Sequence, residues 1–192
     1  MAILERLRRA ESADVVIQAQ VLWAQVESLG ILNTETTTSL PVTYFGVGMK
    51  AGSRQTNPID VTSFLRIVQE VRSIALVDRS PSAPPLMQNL GKYGAASQVE
   101  AKAKLYPTGG AIAEALAHSE VDLGITTMSE LMSAPGVVVL GVTPPEILSV
   151  KINNTAAATK NASAAHEARA FLQFLRSPGA ISVFKAKGFD PI

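Results

Sequence analysis

Cysteine is absent from this chain of 192 residues, and histidine occurs only twice, as His118 and His166. Disulfide scaffolds, thiolate metal sites and cysteine nucleophiles are therefore excluded, and so is a three-histidine metal centre. Aromatic residues are scarce, at 5%. Charge is in excess of neither sign: 17 Lys and Arg stand against 16 Asp and Glu, a formal net charge of +1. A dedicated nucleic-acid binder would carry a basic surplus that is missing here. Long apolar runs are missing too; residues 137–142 fall far short of the roughly 20 needed to span a bilayer. The first ten residues carry Glu5, Arg6, Arg8 and Arg9, which break any apolar segment of an export signal. As written, the chain reads as soluble and cytoplasmic, with no membrane span. It would be periplasmic if its true start lay upstream. No GxSxG, HExxH or P-loop lysine pattern occurs, and no cofactor is implied.

What is present is apolar substance, 47% of the residues, enough for a substantial core. Short β-type runs alternate with helical patterns. An amphipathic start puts Ile3, Leu4 and Leu7 on one face. Residues 14–17 (DVVI) read as a buried strand, and residues 19–29 as a helix with Val21, Leu22, Val26 and Leu29 at helical spacing and Gly30 as its C-cap. Residues 41–50 (PVTYFGVGMK) form a long extended run. Asp60 caps a helix to Val71 with Phe64, Leu65 and Val68 inward. Residues 73–77 (SIALV), 121–125 (VDLGI) and 137–140 (VVVL) read as strands, and residues 99–105 lead into Tyr106-Pro107-Thr108-Gly109-Gly110 and a helix over 111–118. A second long extended run covers 147–159. A helix over 163–175 turns Ala165, Ala168, Phe171, Leu172 and Leu175 inward, and Ser177-Pro178 opens a last helix.

Strands separated by helices predict an α/β fold with a mainly parallel sheet. The two long extended runs bracket a nested α/β segment. They predict two lobes joined by crossing hinge strands: residues 43–147 as lobe 2, with 1–42 and 148–192 as lobe 1. Ligands of such folds sit between the lobes, at strand C-termini and helix N-termini.

Three loops carry candidate ligand groups. Ser80 and Ser82 lie between a buried strand and a proline-started helix, where hydroxyls and free helix amides make an anion site, or where they serve only as turn and cap residues. Thr126, Thr127 and Ser129 open the next helix and offer three hydroxyls to an oxyanion without counter-charge; the competing reading is capping, with Glu130 facing the helix dipole. Thr108 with Gly109-Gly110 makes either an amide nest or an ordinary turn. Arg79 is the cation at these loops, either a bidentate clamp for a carboxylate or a solvated side chain. His118 ends a helix and His166 lies on a polar face; neither has a serine and an aspartate at motif spacing. Asn153-Asn154-Thr155 and Asn161-Ala162-Ser163 match glycosylation sequons by chance.

Several stretches together resemble the molybdate-type substrate-binding proteins of ABC transporters, a branch of the type 2 periplasmic binding proteins. They are Glu11-Ser12-Ala13-Asp14-Val15-Val16-Ile17, Phe45-Gly46-Val47-Gly48-Met49-Lys50-Ala51-Gly52, Ser73-Ile74-Ala75-Leu76-Val77-Asp78, the segment from Ala113 to Ile125, and the ending from Phe171 to Pro191. The resemblance covers nearly the whole chain. It implies a non-enzymatic protein that binds a small anion, an oxyanion or carboxylate, between two lobes and delivers it to an ABC permease. Two departures stand out. Relatives begin with a further strand-helix-strand unit carrying serine-containing ligand loops, so lobe 1 is expected to be incomplete and molybdate binding weak. Relatives also tend to place a tyrosine where Thr127 stands. An alternative on the same fold is a cytoplasmic enzyme acting on a small carboxylate, with Asp78 as base and Arg79 as clamp.

Overall fold

The computed structural model describes residues 2–53 and 60–190. These fall into two compact units, one of residues up to Val42 and from Ile152 onward, the other Thr43–Lys151. The chain thus passes from one unit to the other twice, within strand β2 (Thr38–Met49) and at the start of strand β7 (Lys151–Ala158).

In the first unit, helix α1 (Ala2–Arg8), strand β1 (Val15–Ala19) and helix α2 (Gln20–Glu27) precede the crossing. Helices α8 (Ala165–Phe174) and α9 (Pro178–Ala186) follow the return. β1 pairs antiparallel with β7, Ile17 opposite Ala156. Leu4, Leu7, Val16, Trp23 and Val26 form one buried cluster; Leu40, Ala156, Ala158, Ala168, Leu172 and Leu175 form another. The alanine run Ala156–Ala158 lets both helix layers approach β7. Two expected faces are corrected here. In α2 the buried stripe is Trp23 and Val26, and Val21 is 77% exposed, because the indole is the larger apolar surface and rotates the helix to bury itself. Its Nε1 donates to Glu27 Oε1 at 2.9 Å. In α8, Ala168, Leu172 and Leu175 carry the packing while Phe171 points out. The N-cap of α8, Ala164, has no side chain to offer. Asp14 supplies the cap from β1's entry, accepting from Ser163 N at 2.6 Å and Ala164 N at 3.3 Å. Those bonds hold its carboxyl below the usual carboxylate range, the Ala164 amide foremost.

In the second unit, β2 pairs antiparallel with β5 (Leu123–Thr127) and β6 (Val138–Val142). Strand β3 (Ile74–Val77) lies parallel between β5 and β4 (Ala103–Tyr106). Between the strands run α3 (Val61–Glu70), α4 (Ala83–Lys92), α5 (Ala96–Lys102), α6 (Gly109–Ala117) and α7 (Met128–Ser133). Asp60 caps α3 as expected, accepting from Ser63 N at 2.7 Å while Ser63 Oγ accepts from Asp60 N at 2.9 Å. Phe64, Ile67 and Val68 are its buried face; full burial of a side chain such as Phe64 contributes about 1.5–3 kcal/mol. Residues 99–105, read as one run, are the end of α5 followed by β4. The second extended run is shorter than expected, its strand starting at Lys151. Among the described residues no helix is long and apolar enough to cross a membrane.

Candidate functional site

β3, β4 and β5 are parallel neighbours, so the loops at their C-terminal ends emerge at one edge of the second unit's sheet. All seven candidate residues lie at this edge: Arg79, Ser80, Ser82 and Thr108 in the segments after β3 and β4, Thr126 and Thr127 at the end of β5, and Ser129 in the first turn of α7. Backbone geometry then decides what each can donate.

After β3 the chain turns through Asp78 and Arg79. Asp78 N donates to Tyr106 O at 2.8 Å, extending the β3–β4 ladder by one bond. Arg79 then takes φ 51°, the left-handed region, which costs a non-glycine residue about 1 kcal/mol. Its side chain is 92% exposed and lies 3.6 Å from Asp78 Oδ2, a surface pair. Ser80 Oγ and Ser82 Oγ are hydrogen-bonded to each other at 2.7 Å. The expected free amides at this helix start are not there. Ala83 N donates to Ser80 O, and Pro84 and Pro85, next in the first turn of α4, have no N–H. Of this loop's donors, one serine hydroxyl proton, the Arg79 guanidinium and the Arg79 and Ser80 backbone N–H groups remain. The space that Ser80 and Ser82 share with Phe45, Leu86 and Ile125 is about 10 Å³, room for no more than a water molecule.

After β5, Thr126 and Thr127 were expected to present hydroxyls without counter-charge. The structure places a negative charge among them. Glu130 Oε2 accepts from Thr126 Oγ1, from Thr127 Oγ1 at 2.9 Å and from Thr127 N at 3.3 Å. Thr127 Oγ1 also lies 3.0 Å from Ser129 Oγ. Thr126 is buried, 1% exposed. The chain's own carboxylate thus occupies the donor set read as an oxyanion site. A glutamate at the third helical position reaching back to the N-cap is the capping-box arrangement, and it was legible in Thr127-x-x-Glu130.

After β4, Thr108 caps α6 by accepting from Ala111 N at 3.2 Å. Gly109 lies so close to Glu130 and Thr126 that a Cβ there would overlap both. This contact joins the β4 and β5 loops and explains why the first helical position is glycine. The N–H groups of Gly109 and Gly110 have no hydrogen-bond partner among the described residues. His118 is the C-cap residue of α6, and His166 lies exposed on α8, both away from these loops.

Sequence reasoning missed a buried charge cluster at the opposite end of the same strands. Asp122, 7% exposed, accepts from Lys50 Nζ at 2.8 Å, Arg72 N at 2.9 Å and Arg72 Nε at 3.3 Å. Its own N–H donates to Ser73 Oγ at 3.1 Å. The three charged residues are too far apart in sequence for spacing to signal them.

A family model for bacterial extracellular solute-binding proteins matches residues 1–190. Among characterised proteins the chain is 23% identical over 191 residues to an aconitate isomerase from a Pseudomonas species, covering 100% of this chain and 72% of that protein. Among solved structures it is similar to the periplasmic molybdate-binding protein of Azotobacter vinelandii, with a TM-score of 0.74 and 17% identity over 100% of this chain and 84% of that one. It is also similar to Peb3 from Campylobacter jejuni, with a TM-score of 0.70 and 16% identity over 98% and 84%. The same protein bound to L-phospholactate gives a TM-score of 0.71 with the same identity and coverage.

Proposed function

We propose that this chain, which belongs to the bacterial extracellular solute-binding protein family, binds a small multi-oxygen anion at the β3–β5 loop edge of its second unit. Its fold is the two-lobe type 2 periplasmic-binding-protein fold expected from the sequence, and it is a solute-binding protein of the molybdate type. Proteins of this kind work with ABC permeases and its relatives are periplasmic; that assignment carries over here as part of the proposal. The relatives' names carry molybdate, L-phospholactate and aconitate, each a small anion rich in oxygen.

The observation that carries the reading is the gathering of donors on one edge: the unpartnered Gly109 and Gly110 amides, a Ser80 or Ser82 hydroxyl, and Arg79, held outward by a left-handed backbone and paired only with the neighbouring exposed Asp78. Glu130 selects against a compact tetrahedral oxyanion seated on Thr126 and Thr127, because that position already holds a carboxylate. A carboxylic acid reaching Arg79 fits better than molybdate. Titration calorimetry with citrate, aconitate, molybdate and sulfate tests this. The expected order is carboxylates tighter than molybdate; tighter molybdate binding refutes it.

Two variants sharpen the test. Arg79→Gly is expected to weaken carboxylate binding at least tenfold, since a charged hydrogen bond contributes roughly 1.5–3 kcal/mol. The same variant leaves stability unchanged or raises it by up to about 1 kcal/mol, because glycine accepts the left-handed backbone. A loss of both affinity and stability would mark Arg79 as structural. Glu130→Gln keeps an acceptor for the cap and removes the charge. Molybdate affinity should then rise at least tenfold, as a like charge about 8 Å away costs roughly 2 kcal/mol at an effective dielectric near 20. No change in calorimetry would mean that anions do not approach this edge.

A second reading rests on the aconitate isomerase match, which spans this whole chain. An isomerase of a small unsaturated acid needs a base beside a carboxylate clamp, and Asp78 next to Arg79 supplies that pair. NMR of cis-aconitate incubated with the protein decides it: appearance of the trans isomer, abolished in Asp78→Asn, supports an enzyme.

A further inference from the structure

We infer that the first unit carries a separate site for a small anion with two or more charged oxygen groups, in the groove between α8 and residues 35–38. The groove is open and about 380 Å³, the size of a small-molecule site rather than a macromolecular interface. It does not depend on the β3–β5 loops, which belong to the other unit.

The groove is built on a fixed wall. Ala168, Leu172 and Leu175 anchor α8 in the core. Arg169, Gln173 and Arg176 each follow one of these residues, so they form a second stripe at the same i, i+4, i+7 spacing and line the groove. Arg169 lies on α8 and Arg176 in the turn two residues past its end, a seven-residue step that at near-helical rise puts the two arginine backbones roughly 10 Å apart. The opposite wall is Thr36, Thr37 and Thr38. Thr36 is committed: its hydroxyl donates to Asn33 O at 2.6 Å and accepts from Ala158 N at 2.9 Å. The bond from Ala158 N pins the threonine wall to β7.

The remaining donors are unspent. Among the described residues, no hydrogen bond or ion pair engages the side chains of Thr37, Thr38, Gln173, Arg169 or Arg176. Arg6 and Arg72, by contrast, each close on a carboxylate. Glu35 also lines the groove and brings one opposing charge, so a singly charged anion gains little there. An anion with two charged groups can engage both guanidinium forks at once, each in the bidentate geometry arginine favours.

The test is an NMR titration of the whole chain with pyrophosphate and with citrate, at constant ionic strength, with acetate as the monovalent control. The Arg169 and Arg176 Nε–H signals and the Gln173 side-chain amide should shift saturably with both probes and not with acetate. R169Q/R176Q should weaken binding at least tenfold with an unchanged circular dichroism spectrum, the single R176Q severalfold, while S80A/S82A leaves these shifts intact. Shifts matched by acetate, or an affinity unaltered in both arginine variants, would overturn the assignment.

Discussion

Asp122→Asn is expected to destabilise the protein by about 2 kcal/mol at neutral pH. The carboxylate is the shared partner of Lys50, at the end of β2, and of Arg72, between α3 and β3. It also takes the Arg72 backbone N–H. Asparagine preserves the shape but leaves both cations without a counter-charge. The cost stays below the 3–5 kcal/mol typical of a fully buried pair, because the Arg72 side chain is 81% exposed and returns to water. Burial alone would raise the Asp122 pKa, but the hydrogen bonds from Lys50 and Arg72 overcome it and hold the carboxyl far below the usual range. A depressed carboxyl contributes stability that is full above the unfolded pKa, near 4, and fades as pH falls through the folded value. The gap between wild type and variant should therefore narrow by about 1 kcal/mol between pH 7 and pH 3. Urea unfolding at both pH values measures it. An equal gap at the two pH values would show that the charge is not what Asp122 contributes.

Gly124→Val should have the larger effect, about 3 kcal/mol or more, with Gly124→Ala at about 2 kcal/mol. Gly124 faces Gly48 across the β2–β5 ladder. A Cβ at 124 would stand 2.6 Å from Ile112 Cγ2 and 2.8 Å from Leu116 Cδ1; one at 48 would meet Leu131 Cδ2 at 2.6 Å. The glycine pair is what lets α6 and α7 lie against the sheet, and Leu116 fills the space over both. Ile112, Leu116 and Leu131 are fully buried, so none can swing aside. For a chain of this size 3 kcal/mol corresponds to roughly 6–12 °C in Tm. Calorimetric melting of the two variants checks the ranking; alanine tolerated without loss would mean that the helices shift at little cost.

Much of the fold was legible because local signals agreed with tertiary demand. Asp60 before an apolar stripe, Ser177-Pro178, and the short apolar runs at 73–77 and 121–125 each fixed an element near its observed place. The failures have physical causes. Val21 and Phe171 are apolar residues at helical spacing that lost the contest for burial to larger or better-placed neighbours. At the candidate site the residue types were readable, but their availability was not. Pro84 and Pro85 cancel the amides that the helix start would offer, a fact visible in the sequence once those amides are counted. The claim of Glu130 on Thr126 is different, since it also needs Gly109, from another loop, to let the carboxylate in. Asp122, Lys50 and Arg72 could be joined only by the fold.

The unit Thr43–Lys151 is one uninterrupted stretch of chain, whereas its companion is assembled from both flanks. During synthesis the two therefore mature unequally. The inserted stretch can acquire its core as soon as it clears the ribosome. The leading segment cannot complete its own: β1 needs β7, and Val15 meets Ala158 only after about 140 further residues have been made. At 5–20 residues per second that is a wait of about 7–30 s. Through it, the edge of β1 and the apolar faces of Val16 and Trp23 stay open to a chaperone or to another nascent chain.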